Sequence, residues 1–265
     1  MVGSHMSGLA EDLALALQLA DAADAVTVSK FRTLDLHVET KPDLTPVSEA
    51  DKATERTLRT LLAEHRPGDS IVGEEYGGEL VGGRQWVIDP IDSTRNYVRG
   101  VPIWGTLIAL VEDQTVLVGV VSAPMLARRW WASRGSGAWL QALQDAPTRL
   151  QVSGMHELAD ASISFSDAQG WRDYRPGLDR LLQATVRQRA FGDFWSHCLV
   201  AEGAVDIAAE PDLSMWDVAA LIPIVEEAGG RITAMDGSPA LTGGSAVTTN
   251  GLLHDKVLSV LAPGR

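Results

Sequence analysis

The sequence predicts a layered fold of mixed α/β and α+β class, and three observations support this prediction. The first half combines two amphipathic helical patterns with short alternating strands that turn residues separate. The second half alternates strand and helix patterns, which favours an α/β layer. The chain has 265 residues, 45% of them hydrophobic, so it is long enough to bury a sizeable core.

The first half is predicted to place helices against a largely antiparallel sheet. Residues 8–31 have apolar side chains at helical spacing. A second helix is expected to begin after Ser48, where Asp51 completes a capping box, and to end near Pro67. Strands are expected at 70–76, 85–90, 106–113, 116–124 and 128–135. The alternation of the last three predicts an antiparallel meander.

The second half is predicted to alternate between strands and helices. Its strands are expected at 150–153, 161–166, 187–191, 205–210, 231–237 and 245–250. Its helices are expected at 177–185, 193–204, 216–229 and 252–262. The polar, proline-containing stretch Asp145–Thr148 is a soft boundary, which divides the chain into a first domain of residues 6–147 and a second of residues 148–265.

Composition and charge exclude several classes of function. The net charge of −13, from 35 acidic and 22 basic residues, argues against binding to nucleic acid or to an anionic membrane. No apolar run reaches the roughly 18 residues of a membrane span, and no signal-peptide pattern is present. The single cysteine, Cys198, fits a reducing, cytoplasmic location. Residues 1–5 resemble an expression remnant, so His5 carries no functional weight.

Acidic residues recur at predicted strand ends and helix starts. They are Glu74, Glu75, Asp89, Asp92 and Asp217, and none has an obvious basic partner in the local sequence. Carboxylate oxygens are the ligands that Mg²⁺ prefers, and two such ions about 3.5–4 Å apart can clamp a phosphate. The alternative for each single acid is structural, because an aspartate at a strand end is commonly a turn or cap residue.

The stretch WVIDPIDST, residues 86–94, carries the strongest signal. Pro90 fixes one φ angle, so we expect a turn that directs two aspartates and the intervening Ile91 carbonyl toward one place. Ser93 and Thr94 would then open a short helix whose free N–H groups can bind a phosphate oxygen.

These motifs resemble those of a known family. GEE at 73–75, WVIDPIDST at 86–94 and WDVAA at 216–220 resemble the three metal motifs of the inositol monophosphatase family, in order and spacing over nearly the whole chain. The resemblance implies a layered αβαβα sandwich and a Mg²⁺-dependent, lithium-sensitive phosphomonoesterase that commonly forms a homodimer. The usual glycine after the second aspartate is Ser93 here, which narrows the backbone options of this position.

The resemblance also implies roles for single residues. A first Mg²⁺ would be held by Glu74, Asp89 and the Ile91 carbonyl. A second would be held by Asp89, Asp92 and Asp217. A third, weaker ion would share Glu74 and water. The catalytic residues that position and activate the attacking water would be Asp51, Thr94 and Glu74. The backbone amides of Ser93 and Thr94 would bind the phosphate.

Substrate choice is expected to come from residues 191–211. Gly192 and Asp193, followed by aromatic residues, resemble the histidinol-phosphatase branch of the family. Histidinol phosphate carries an ammonium group and an imidazole ring. Asp193 or Glu210 could pair with such a cation. The candidates for stacking on the ring are Phe194, Trp195 and Trp104, although aromatic side chains on a helix more often belong to the core.

Other interpretations remain open at this point. The same metal site could serve an inositol-1-phosphate or sugar-phosphate phosphatase, or belong to a silent phosphate-binding module. The expected partner is a small-molecule phosphate ester, without nucleic acid or membrane. One member of the pair Trp130 and Trp131 is expected to face outward, as a dimer contact or as a partly buried surface residue. His197 and Cys198 are predicted to be packing residues, because no second ligand stands at metal-binding spacing.

Overall fold

The structure is a computed structural model that describes residues 2–34, 36–40 and 46–263. Residues 41–45 of the predicted polar segment before the second helix lie outside the described residues. None of the described helices is both long enough and apolar enough to cross a membrane.

Helices and strands follow one another along the whole chain. The helices are α1 (Val2–Lys30), α2 (Glu49–His65), α3 (Thr94–Arg99), α4 (Arg175–Ala184), α5 (Asp193–Ala201), α6 (Met215–Val218), α7 (Leu221–Glu227) and α8 (His254–Leu261). The strands are β1 (Val38–Thr40), β2 (Pro46–Ser48), β3 (Ser70–Gly73), β4 (Arg84–Asp92), β5 (Gly105–Glu112), β6 (Thr115–Ala123), β7 (Arg128–Ser133), β8 (Ala138–Ala142), β9 (Thr148–Arg149), β10 (Ser162–Ser164), β11 (Arg187–Arg189), β12 (Ile207–Glu210), β13 (Arg231–Thr233) and β14 (Ala246–Thr249).

The first half forms the predicted antiparallel meander. Its sheet has the strand order β3-β4-β5-β6-β7-β8-β9, and every pair is antiparallel except β3 with β4. The capping box predicted at the start of α2 is confirmed, because Asp51 accepts the Ser48 backbone N–H at 2.8 Å and Ser48 caps the helix in return. Strands β8 and β9 of this sheet, and the separate antiparallel pair β1 and β2, were not predicted.

Both faces of this sheet are covered by helices. Trp86 and Ile88 of β4 pack on one face with Leu19 of α1 and Leu58 of α2. The neighbouring Val87 points the opposite way, as strand alternation requires, into a core shared with α5, α6 and α7.

The second sheet completes the layers. Its strand order is β11-β10-β12-β14-β13, with parallel pairing of β10 to both neighbours and antiparallel pairing of β14 to β12 and β13. Its outer face packs against α4 and α8 through Leu178, Leu181 and Val257. The layers therefore run helix, sheet, helix, sheet, helix, which confirms the predicted αβαβα sandwich. The predicted domain division near residue 147 stays a prediction. One hydrophobic core contains residues from both sides of this position.

Two predicted elements differ from the structure. The helix expected at 216–229 is divided into α6 and α7, because Pro223 has no N–H to donate to the carbonyl four residues earlier. Residues 150–153 are not a strand beyond β9. Instead, the Leu150 N–H donates to the Ala138 carbonyl at 2.8 Å and the Val152 N–H to the Ala228 carbonyl at 3.0 Å, as the chain passes between layers.

The two tryptophans of β7 point to opposite faces of the first sheet, as strand alternation predicts. Trp130 is fully buried in the core of the middle layer, whereas Trp131 is partly buried against the core formed with α1 and α2. Trp131 is therefore the outward member of the pair. Its part in a dimer contact stays a prediction.

The joint between the first sheet and the middle helices requires a glycine at position 119. A Cβ atom there would lie 2.2 Å from the Ala220 carbonyl oxygen and 2.8 Å from Cγ of Pro223. Gly119→Ala should therefore lower the free energy of unfolding by about 1–3 kcal/mol through overpacking. Urea denaturation measures this change. Gly154→Ala is the matched control, because nothing lies within 4 Å of its added Cβ. Equal stabilities for the two variants would contradict the close approach.

Candidate active site

A β-bulge at the end of β4 places two aspartates on the same face of the first sheet. Asp89 pairs with Leu107 of β5 and Asp92 with Gly105, so three steps along β4 match two along β5. In a regular strand, residues three apart point to opposite faces. The additional residue at the bulge reverses the alternation, and both carboxylates face the middle helix layer.

The bulge replaces the turn that the sequence predicted at Pro90. Proline is tolerated at a bulge because no ladder hydrogen bond is required of its nitrogen. The Pro90 carbonyl accepts a hydrogen bond from Thr106 Oγ1 at 2.8 Å, and this bond fixes the bulge to β5.

The third acid comes from the second half of the chain. Asp217 lies in α6, and its Oδ2 accepts the Ser214 backbone N–H at 2.7 Å in a capping box. The carboxylates of Asp89, Asp92 and Asp217 each offer an oxygen, and these oxygens lie within 4.8 Å of one another. Asp217 therefore combines the structural role of a helix cap with a place in the acidic cluster.

Backbone N–H groups orient the carboxylates of this cluster. The Ile91 N–H donates to Asp89 Oδ1 at 3.0 Å, and the Phe194 N–H donates to Asp92 Oδ2 at 2.8 Å. Among the described residues, no lysine or arginine forms an ion pair with any of the three acids. The donor set is hard, anionic and without internal neutralisation, which fits a divalent cation such as Mg²⁺.

The pKa values of the clustered carboxyl groups also favour a cation site. Burial, and then the neighbouring carboxylates of Glu74, Asp92 and Asp217, hold the pKa of Asp89 well above its usual range. Burial, followed by Asp193 and Asp217, does the same to the pKa of Asp92. Burial raises the pKa of Asp217 to about 7. Without a cation the cluster therefore retains protons near neutral pH, and a bound cation would favour the ionised carboxylates.

Glu74 reaches the same cavity from the turn that follows β3. The carboxylate of Glu55, which is fully buried, accepts the backbone N–H groups of Glu75 at 2.7 Å and Tyr76 at 3.2 Å. Sequence reasoning missed Glu55 as a residue that shapes this turn. The available signal was its position four residues after Asp51, on the same face of α2.

Asp51 lies behind Thr94 rather than on the cavity wall. Its Oδ2 accepts from the Ser48 N–H and hydroxyl, and its Oδ1 lies 3.2 Å from Thr94 Oγ1. Thr94 Oγ1 also lies 2.9 Å from the Ile91 carbonyl oxygen and lines the cavity. Burial raises the pKa of Asp51 to about 6. A hydroxyl that donates to a carboxylate with such a pKa can accept a proton from water and pass one on.

One cavity of about 810 Å³ joins the acidic cluster to the residues predicted to select substrate. Asp193 and Glu210 both line it, together with Ser93 and Thr94. Glu210 is 4% exposed, and its buried Oε1 has no hydrogen-bond partner. Burial raises the pKa of Glu210 to about 8. A buried carboxylate oxygen without a hydrogen-bond partner is costly. We therefore expect a ligand to place a hydrogen-bond donor or a cation at this position.

The aromatic residues that line the cavity differ from the three candidates for stacking named from the sequence. Phe194 and Trp104 are fully buried in separate hydrophobic cores, Phe194 beside Trp130 and Trp104 beside Tyr97. Trp195 packs partly buried against the core of the middle layer. The aromatic side chains that line the cavity are Phe191 and Trp216. Phe191 is 54% exposed, and sequence reasoning placed it at the end of the strand predicted at 187–191 without naming it as a ring contact. The observed strand β11 ends at Arg189, so Phe191 lies beyond it.

The packing roles predicted for two other residues of α5 agree with their burial. Cys198 is a buried free cysteine. His197 is buried and its Nδ1 lies 2.7 Å from Thr248 Oγ1, so burial lowers its pKa to about 4.

Comparison with known proteins agrees with this site. The model of the inositol monophosphatase family matches residues 9–262. The chain is 57% identical over 259 residues to the histidinol-phosphatase of Mycobacterium tuberculosis, with 96% of this chain and 99% of that protein covered. It is 53% identical over 258 residues to the histidinol-phosphatase of Streptomyces coelicolor, with 95% and 97% covered. The structure of a Thermotoga maritima IMPase has a TM-score of 0.85 and 30% identity, with 95% of this chain and 96% of that chain covered. The protein is therefore a member of the inositol monophosphatase family.

Proposed function

We propose that the protein hydrolyses L-histidinol phosphate to L-histidinol and phosphate, a reaction of histidine biosynthesis, with two to three Mg²⁺ ions in the acidic cluster. The observation that carries the proposal is the unpartnered, buried Oε1 of Glu210 in the same cavity as the cluster. Two relatives that share more than half of their residues with this chain are histidinol-phosphatases, which supports the choice of substrate.

The acidic cluster is the metal site of the proposal. Glu74, Asp89 and the Ile91 carbonyl would hold one ion, and Asp89, Asp92 and Asp217 would hold another. A third, weaker site would involve Glu74. When bound, the ions supply Lewis-acid charge to the attacking water and to the phosphate oxygens.

Thr94 and Asp51 would position the attacking water. Thr94 Oγ1 lies at the cavity wall and Asp51 lies behind it, at 3.2 Å. If the Thr94 hydroxyl donates to Asp51, its oxygen is left to accept a hydrogen bond from water. As the water loses its proton to the Thr94 oxygen, the original hydroxyl proton of Thr94 would pass to the Asp51 carboxylate, which leaves Thr94 a neutral hydroxyl.

The start of α3 would bind the phosphate. Ser93 and Thr94 follow the bulge directly, and Ser93 adopts the left-handed region at φ 68°. This conformation turns the chain into α3, where the backbone N–H groups at the helix start lack intrahelical partners. The phosphate would thereby lie between these amides and the acidic cluster.

Glu210 and Asp193 would receive the ammonium group. Glu210 has the unpartnered oxygen, whereas Asp193 already accepts hydrogen bonds from the hydroxyls of Ser93 and Ser166. We therefore assign the larger share of the ammonium contact to Glu210. A bound ammonium would favour the ionised form of Glu210. Phe191 and Trp216 replace Phe194 and Trp104 as the residues proposed to contact the imidazole ring.

The remaining parts of the proposal concern the enzyme as a whole. We propose a lithium-sensitive, cytoplasmic homodimer that acts on a small-molecule phosphate ester and binds neither nucleic acid nor membranes. The single, buried cysteine supports the reducing compartment, and the net charge of −13 opposes binding to polyanions. A silent phosphate-binding module has less support, because Thr94 and all the acids expected of the metal site are present.

Removal of divalent metal should abolish activity, and Mg²⁺ should restore it.

Because the folded state raises the carboxyl pKa values of the cluster, ionisation of these carboxyl groups destabilises the metal-free protein at high pH. This destabilisation is relieved as the pH falls. Mg²⁺ must displace the retained protons, so its affinity should fall about tenfold for each proton displaced and each unit of pH below about 7. At a fixed Mg²⁺ concentration, the rise in Tm that Mg²⁺ produces should be larger at a pH of about 8 than at about 6.

Two variants control this metal experiment. Asp92→Asn removes a carboxylate from the cluster and should abolish both turnover and the response of Tm to Mg²⁺. Asp212→Asn changes an exposed acid of the same cavity and should leave both intact. Activity of the wild-type protein in metal-free buffer, or a Tm response that Asp92→Asn retains, would exclude the acidic cluster as the metal site.

Histidinol phosphate should be preferred over inositol 1-phosphate by on the order of a hundredfold in kcat/KM, because its ammonium group can neutralise a buried carboxylate and a neutral polyol cannot. Glu210→Gln and Asp193→Asn should each narrow this ratio, mainly by lowering kcat/KM for histidinol phosphate, and Glu210→Gln should have the larger effect. Steady-state kinetics on both esters, with Mg²⁺ present, measure the ratio.

Other outcomes of these kinetics are equally informative. Equal kcat/KM values for the two esters would contradict the proposed substrate and favour a broader inositol- or sugar-phosphate phosphatase. Variants of Asp193 and Glu210 that lose activity on both esters alike would remove the assignment of these residues as selectors.

A further inference from the structure

Two hydrogen bonds connect the start of α5 to the end of β4. The Phe194 N–H donates to Asp92 Oδ2 at 2.8 Å, and the Ser93 hydroxyl donates to Asp193 Oδ2. Consecutive residues on one segment thus bond consecutive residues on the other. Since Asp92 belongs to the acidic cluster and Asp193 to the proposed ammonium site, this paired connection links the two.

The carboxylate of Asp193 is held from both sides. Its Oδ1 accepts from Ser166 Oγ at 3.1 Å, and the same Ser166 oxygen accepts the Asp193 N–H at 3.1 Å. The preceding Gly192 has a φ of 50°, and a Cβ atom there would lie 2.1 Å from Ser166 Cα. The loop before α5 therefore packs closely against Ser166. The hydroxyl of Ser93 donates to the Asp193 carboxylate from the opposite side.

Ser93 occupies a backbone conformation that suits glycine better. Its φ of 68° lies in the left-handed region, which a residue with a Cβ adopts at a cost. A strained residue persists where its surroundings compensate for the strain. The compensation visible here is the hydrogen bond from the Ser93 hydroxyl to a carboxylate, a bond stronger than one between neutral groups.

We infer that Ser93 is a positioning residue whose side chain fixes the Asp193 carboxylate at a set distance from the phosphate site. The inference rests on the proposed function, because it assigns a role within the same substrate cavity. The backbone of Ser93 lies at the proposed phosphate site, while its hydroxyl holds Asp193, one of the two carboxylates proposed to face the ammonium group. One residue thereby sets the spacing between the two charged ends of the substrate, and favours esters of amino alcohols whose ammonium lies close to the ester oxygen.

A double-mutant cycle tests this inference in the Mg²⁺-loaded enzyme. The substrates are histidinol phosphate and its deamino analogue, which keeps the imidazole ring and lacks the ammonium group. Ser93→Ala should lower the preference for the ammonium-bearing ester by about tenfold, mainly through KM. Asp193→Asn should lower the preference further. The double variant should match Asp193→Asn alone, because Ser93 acts through Asp193.

Ser93→Gly separates the hydroxyl from the backbone strain. Glycine lacks the hydroxyl but takes a positive φ freely, so Ser93→Gly should have a higher Tm than Ser93→Ala and the same loss of preference. The positioning role would be overturned if Ser93→Ala and Ser93→Gly differed in their preference for the ammonium-bearing ester. It would also be overturned if the losses of preference in Ser93→Ala and Asp193→Asn multiplied in the double variant. Either result would leave the proposed ammonium site standing. A wild-type enzyme that does not distinguish the two esters would overturn the proposed ammonium site, and this inference with it.

Discussion

Repulsion among buried carboxylates is the constraint on which the rest of the site depends. Asp89, Asp92 and Asp217 place oxygens within 4.8 Å of one another, and no basic side chain of the described residues neutralises them. Folding must hold these groups together against their mutual repulsion and their loss of hydration. The site is therefore stable with protons or with cations, and the competition between the two couples metal binding to pH.

The layered fold provides the framework that holds the acids together. The bulge in β4 sets two of them on one face of the first sheet, and the close approach of Gly119 to Ala220 holds the middle helices, with Asp217, against that face. Each acid is also oriented by a backbone N–H, from Ile91, Phe194 or Ser214. Helices and strands rather than loops thus position the three aspartates, while Phe191, which lines the cavity, lies on a more exposed segment.

Local patterns predicted much of this structure, and non-local contacts account for the remainder. The capping box of α2, the meander and the acidic positions could be identified because each depends on a few neighbouring residues. The bulge could not, because it is defined by the pairing of β4 with β5. Phe194 stayed a candidate for substrate contact beside a core role, because sequence alone does not say which face of α5 meets the sheet. The roles of Glu55 and the Ser93 side chain depend on partners 20 and 100 residues away, which periodicity does not reveal.

The three carboxylates of Asp89, Asp92 and Asp217 are proposed to form a divalent metal site. An anomalous difference map from crystals grown with Mn²⁺, a heavier ion with the same preference for oxygen ligands, tests it most directly. A peak is expected at coordinating distance from oxygens of all three aspartates. Ordered carboxylates at this position with no peak between them, at a Mn²⁺ concentration that supports turnover, would exclude this metal site.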